Sequence, residues 1–233
     1  MKKIGIIGGM SYESTLHYYE KINKIINQKL GKLTTAEIIM YSVNFQDIEP
    51  HMKKNEWKII EDSLCNKAKK LEDAGVDIIV IATNTMHKLA DKIQNKINIP
   101  LLHIADCVAK ECNKQNIKNV GLIGTRYTMT ENFLKNRLEK NGLKVFVPKS
   151  KKEINEIDRI IFEELCVGTI KDSSKKYYID VIRNMQKKYK IEGIILGCTE
   201  IEMLIKKDDL DIPIFDTTNE HIKGVVNFII ENL

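Results

Sequence analysis

The chain alternates between short, wholly apolar runs and longer stretches in which apolar residues recur every three or four positions. "IGIIGG" (4–9) is a run of the first kind, and "SYESTLHYYEKINKIINQKL" (11–30) is a stretch of the second. Apolar strand, glycine turn and amphipathic helix in that order predict a strand-loop-helix unit. "AEIIMYSVNF" (36–45) reads as a second strand and "EWKIIEDSLCNKAKKLEDAG" (56–75) as an amphipathic helix stopped by Gly75. "VDIIVIATN" (76–84) reads as a buried strand feeding the helix "TMHKLADKIQNKI" (85–97). Alternation of this kind predicts an α/β fold with a parallel sheet covered on both faces.

The pattern then begins again. "NVGLIGTRYTMTENFLKNRLEKNG" (119–142) is another strand, glycine turn and helix, and "LKVFVPKS" (143–150) another strand. Residues 153–190 read as helices, and "EGIILGCTEIEMLIKK" (192–207) closes on a buried strand and a helix. Register carries the information here. Ile4 to Val120 is a shift of 120 − 4 = 116, and Thr83 to Cys198 a shift of 198 − 83 = 115.

Two similar parallel-sheet α/β domains follow as the expected architecture. The first comprises residues 1–104 plus 216–233 and carries Thr83; the second comprises 105–215 and carries Cys198. In open α/β sheets ligands gather outside the carboxyl ends of the strands. Thr83 and Cys198 are expected at two such ends, looking at one ligand from opposite sides of a cleft between domains related by a pseudo-two-fold axis. Repeated α/β units also look alike simply by construction, and pattern alone leaves that alternative open.

Composition narrows the classes. The 233 residues are 43% hydrophobic and 30% charged, too apolar for disorder. The opening residues predict neither a signal peptide nor a membrane span, so a cytoplasmic location is expected. The net charge of +5 comes from dispersed lysines without an aromatic and arginine-rich stripe, which argues against nucleic-acid binding. The five cysteines show no C-x-x-C metal spacing, the five histidines are scattered, and an odd count cannot pair completely within one chain, so reduced thiols are expected, with Cys65, Cys107 and Cys112 filling core positions.

Two acid/base groups on opposite faces of a carbon atom are what inversion of a stereocentre requires. One removes a proton and the other returns one to the far side. A thiol ionises near neutrality, and a helix N-terminus lowers its pKa further, which makes Cys198 the first candidate. Thr199 and Glu202 have the spacing of a capping box, leaving Glu200 either to orient a substrate amino group or to sit in a first helical turn. Peptide N–H groups after "GGMS", around Asn84 and Thr85, after Gly124 and around Thr199 are natural cradles for a small carboxylate. His87, four residues beyond Thr83, either relays a proton to it or is a core histidine satisfied by backbone.

"IGIIGGMSYEST", "SVNF", "ATNTMHK", "GLIGT", "EELCVG" and "LGCTEIE" together resemble the aspartate/glutamate racemases, the cofactor-independent amino-acid racemases, over essentially the whole chain. The resemblance implies two α/β domains, an active site between them, no metal or cofactor, a small acidic amino acid as substrate, and a homodimer. It implies Thr83 and Cys198 as the catalytic pair, where relatives carry cysteine at both positions. It further implies that Met10, Asn84, Thr85, Thr125 and Thr199 hold the α-carboxylate and amino group. Met52 and Cys166 fall where two-cysteine aspartate racemases use basic residues, and Gln46, His51 or backbone donors are alternatives for the second carboxylate. Cys198 is expected to act on the L-enantiomer, with Thr83 serving the other face. A malonate-type decarboxylase, a maleate-type isomerase and a non-catalytic acidic amino-acid binder are the competing readings.

Overall fold

Caps and glycines set where the elements begin and end in the computed structural model, which describes residues 1–231. Among them, two compact units divide the chain: Met1–His103 with the C-terminal segment from His221, and Ile104–Glu220.

In the first unit β1 (Ile4–Gly8) leads into α1 (Tyr12–Leu30), whose N-cap Ser11 accepts a hydrogen bond from the Ser14 N–H. Ser14, Thr15, Tyr18, Ile22 and Ile26 form its buried stripe, and Gly31 closes it at φ 74°. Then come β2 (Ile38–Ser42), a short α2 (Glu49–Lys53), α3 (Trp57–Asp73) and β3 (Ile78–Ile81). The helix expected at 85–97 is in fact a 3-10 turn, Thr85–Leu89, followed by α4 (Ala90–Gln94). Gly75, just past the Ala74 cap of α3, takes φ 81° and stops the helix there, as the sequence predicts. Its lysines form surface pairs with neighbouring acids, Lys58 with Glu61 and Asp62 and Lys69 with Glu72 and Asp73, the solvated face expected of them.

In the second unit α5 (Ile104–Lys114) precedes β4 (Asn119–Gly124), α6 (Arg126–Thr130) and α7 (Asn132–Lys140). The single helix expected after β4 is broken where Glu131 takes an extended conformation. β5 (Lys144–Phe146), α8 (Lys151–Glu163), α9 (Asp172–Tyr189), β6 (Gly193–Gly197), α10 (Ile201–Leu204) and β7 (Ile214–Asp216) follow. α11 (Thr217–Ile230) starts in this unit and continues into the first.

The protein is α/β with two parallel sheets, of order β2-β1-β3 and β5-β4-β6-β7. The repeat read from the sequence reappears as matched topology, because β1 and β4 are each flanked by the next two strands of their own unit. Ile79 makes one isolated bridge to Leu101, where the equivalent Ile194 pairs with Ile214 of β7. The first unit's fourth strand is thus reduced to a single bridge.

Apolar residues fill both faces of the second sheet. Ile194 and Leu196 pack with Ile157, Ile160 and Tyr178, while Ile195 points the other way, to Val108, Leu134 and Phe215. A strand buried on both sides has no polar face, which is why β6 reads as an uninterrupted apolar run. The first core joins Ile4, Ile6, Tyr18 and Val80 to Ile222, Val225 and Ile229 of α11. Cys65, Cys107 and Cys112 are buried free thiols, as expected, and burial pushes the last two up to about 12. Among the described residues no helix is long and apolar enough to cross a membrane.

Candidate active site

The carboxyl ends of β1 and β3 are tied together by the first turns of α1. The Ser14 hydroxyl donates to the Ala82 carbonyl at 3.0 Å, the Ala82 N–H donates to the Ile7 carbonyl at 3.0 Å, and the Gly9 N–H donates to Thr15 Oγ1 at 2.8 Å. Thr83, half-buried, follows directly on this lattice, with Asn84 and Thr85 buried beside it. Met10 is buried in the glycine loop. Met52 is buried on α2, and His51 next to it faces Glu56, with its Nδ1 2.6 Å from the carboxylate.

Gly9 shows why the loop needs glycine. It takes φ 88°, and a Cβ built there would lie 2.2 Å from the Val43 carbonyl oxygen. That oxygen, like the Val43 nitrogen at 2.6 Å, is backbone and not a movable side chain. Gly9→Ala should therefore destabilise the fold by more than ~2 kcal/mol, combining left-handed strain with backbone overlap. Urea denaturation checks this; an unchanged midpoint would show that the loop shifts at no cost.

His87 is fully enclosed, and its Nδ1 lies 2.8 Å from the Thr83 carbonyl. A carbonyl can only accept, so Nδ1 carries the proton. His221 lies alongside, with ring centroids 5.5 Å apart, receiving the Tyr18 hydroxyl at Nδ1 and donating from Nε2 to the Leu102 carbonyl. Burial, reinforced by His221, depresses His87 to about 3, and burial does the same to His221. Of the two roles open to His87, the structure selects the core histidine held by backbone. It fixes the Thr83 peptide rather than carrying a proton at neutral pH.

In the second unit Cys198 occupies the place that Thr83 holds in the first. Ile81 pairs with Ile7 and Leu196 with Ile123, and each candidate follows its paired residue by two positions. Close approach requires glycine here too: a Cβ on Gly197 would lie 2.8 Å from Thr128 Cγ2. Thr125 is buried and caps α6, accepting from the Thr128 N–H. Cys166, exposed on the 3-10 turn Leu165–Val167, is near enough to act electrostatically on Cys198. Glu164, at the head of that turn, is buried against Arg159, Lys171 and Ser174, which hold its carboxyl below the usual range.

Three expectations need correction. The capping box of Thr199 and Glu202 does not form: α10 begins at Ile201 without a side-chain cap, and the Thr199 hydroxyl instead donates to the Glu200 carboxylate at 2.6 Å. The Cys198 pKa is not lowered by a helix N-terminus. Burial pushes it well up, and Glu200, whose carboxylate receives the thiol at 2.9 Å, pushes it further. Finally, two donors expected to cradle a carboxylate are already engaged inside the protein. Ser14 N–H is taken by Ser11 and Arg126 N–H by Asp158 at 2.6 Å.

The sequence pattern of Asp/Glu/hydantoin racemases matches residues 7–225. The chain belongs to this family. Within the Asp/Glu/hydantoin racemases, an aspartate racemase homologue from Pyrococcus horikoshii is 40% identical, with a TM-score of 0.87 covering 98% of this chain and 99% of that one. A glutamate racemase from Aquifex pyrophilus is 32% identical over 68% of this chain, and the match spans only 61% of that enzyme's length. A broad-specificity amino-acid racemase from Bacillus subtilis is 25% identical over 96% of both chains. The two-sheet architecture is that of the family's racemases.

Proposed function

We propose that the protein is a racemase of aspartate, glutamate or both, acting mainly on the L-enantiomer, with Cys198 taking the α-proton and Thr83 serving the opposite face. The observation that carries this reading is the equivalence of the two residues. Each follows the central-strand partner of its own sheet by two positions, and each replaces the other's chemistry with a group able to exchange a proton. Family membership supports a reaction at an amino-acid stereocentre. The likeness to an aspartate racemase homologue and to a glutamate racemase supports an acidic side chain, while the broad-specificity relative marks where the choice of substrate is open.

In this scheme Cys198 abstracts the α-proton of the L-acid, leaving a carbanion flattened against its own carboxylate. Thr83, directly or through a water, delivers a proton to the other face. Met10, Asn84, Thr85, Thr125 and Thr199 bind the α-carboxylate and amino group; Met52 and Cys166 border the side-chain carboxylate. The protein works as a homodimer in the cytoplasm and needs no cofactor. A hydroxyl is a far weaker base than a thiol, so the two directions have different bottlenecks. The enantiomers have equal free energy, so kcat/KM must still be equal in both directions, and a preference for L resides in kcat and KM together.

Proton NMR of L-aspartate and of L-glutamate with the protein in D2O, alongside chiral chromatography, tests the reading. Loss of the α-proton signal with growth of D-product is the expected result. Exchange without inversion would remove Thr83 from its role, and no exchange with either acid would return the decarboxylase, isomerase and binding-protein readings.

A further inference from the structure

Cys198 is held as a thiol, and a thiol is not a base. Its Sγ lies 2.9 Å from Glu200 Oε2, and the same oxygen receives the Thr199 hydroxyl at 2.6 Å. Sulfur and carboxylate therefore share one proton position, with Thr199 fixing the carboxylate rotamer. We propose that Glu200 is the proton acceptor for Cys198, so that sulfur and carboxylate work as a single base; this rests on the racemase reading of the same site.

Proton accounting makes the role specific. Glu200 Oε2 takes the S–H proton, the sulfur lone pair so released takes the α-proton of the L-acid, and the C–H electron pair stays on the substrate carbanion. The carbanion then takes a proton from the Thr83 face. After one turnover Cys198 is again a thiol, Glu200 has gained a proton and the Thr83 side has lost one. Exchange with water restores both. The site's proton-accepting equivalent thus sits on the Cys198 side, which gives a physical origin for starting from the L-enantiomer.

Other groups around the sulfur do not supply that acceptor. The Cys166 thiol raises the Cys198 pKa further, and the Glu200 backbone N–H opposes the rise without offsetting it. Tyr178, buried on α9, donates its hydroxyl to the Ile157 carbonyl at 3.0 Å, and burial keeps its phenol protonated. Thr199 already donates to Glu200.

Glu200→Gln separates a base from a mere electrostatic neighbour. Removing the carboxylate's charge should shift the alkylation midpoint of Cys198 by iodoacetamide to lower pH, read peptide by peptide so that exposed Cys166 is scored apart. A neighbour that only raised the thiol pKa would, on removal, speed α-proton exchange at neutral pH. A proton acceptor would slow it by ~100-fold or more, with the rate then climbing about tenfold per pH unit as the thiol ionises to solvent instead. Slower exchange together with a lower alkylation midpoint supports the proposal, and partial recovery in Glu200→Asp strengthens it. Unchanged or faster exchange overturns it, as does an unmoved midpoint. If the wild-type protein exchanges neither acid, the racemase reading fails, and the alkylation midpoints alone support or overturn the pairing.

Discussion

Replacing Cys198 with serine should lower α-proton exchange from the L-acid by about 10²–10⁴-fold at neutral pH, the range that a positioned acid/base group supplies. The reason is chemical and local. Serine keeps the shape of the side chain, and its hydroxyl can still donate to Glu200, which the thiol reaches at 2.9 Å. It does not become a base of useful strength beside a carboxylate. Because the change is nearly isosteric at a partly buried position, stability should change by less than ~1 kcal/mol. NMR exchange and urea denaturation on the same sample separate the two effects. Undiminished exchange in this variant would remove Cys198 from the mechanism, whatever the fate of Thr83.

The second large effect is on stability in mild acid. His87 and His221 are enclosed in the first unit and held neutral, each titrating at about 3 in the folded protein against an ordinary value of 6.5. Between pH 6.5 and 3 the unfolded chain therefore binds protons that the folded chain refuses. Unfolding takes up protons in that window, so stability falls as the pH falls. At pH 5 each histidine contributes a loss of about 2 kcal/mol relative to pH 7.5, and the pair about 4 kcal/mol. Chemical denaturation at the two pH values measures it. His87→Leu should reduce the loss to about 2 kcal/mol by removing one of the two sites. An identical acid loss in the variant would mean that His87 is protonated in the fold and does not hold the Thr83 carbonyl as a neutral donor.

Much of this architecture was legible in the chain because it is written in periodicity. β6 is apolar at every position since both of its faces are covered, and α1 and α3 carry stripes that end at Gly31 and Gly75. The offset of 115 between Thr83 and Cys198 survives as a matched place in two sheets. β7 and α2 escaped notice, being three and five residues long, too short for a period to register. The site was less legible for another reason. "CTEIE" has the spacing of a capping box, but which partner Thr199 chooses depends on where the Glu200 carboxylate lies in three dimensions. The direction of the Cys198 pKa likewise depends on burial contributed by residues far off in sequence, such as Tyr178. His87 was readable only as a pair of options, and the carbonyl at its Nδ1 decided between them.

The course of the chain through its two units has a practical meaning. The second unit runs unbroken from Ile104 to Glu220, whereas the first is completed only by the segment that starts at His221. The second is thus an insertion in the first. A fragment ending at residue 103 would lack Ile222, Val225, Val226 and Ile229, four members of its own core, and would expose their partners to water. The Thr83 half can be obtained by itself only by excising residues 104–220 and rejoining the ends, while the Cys198 half is available as a plain excerpt of the gene.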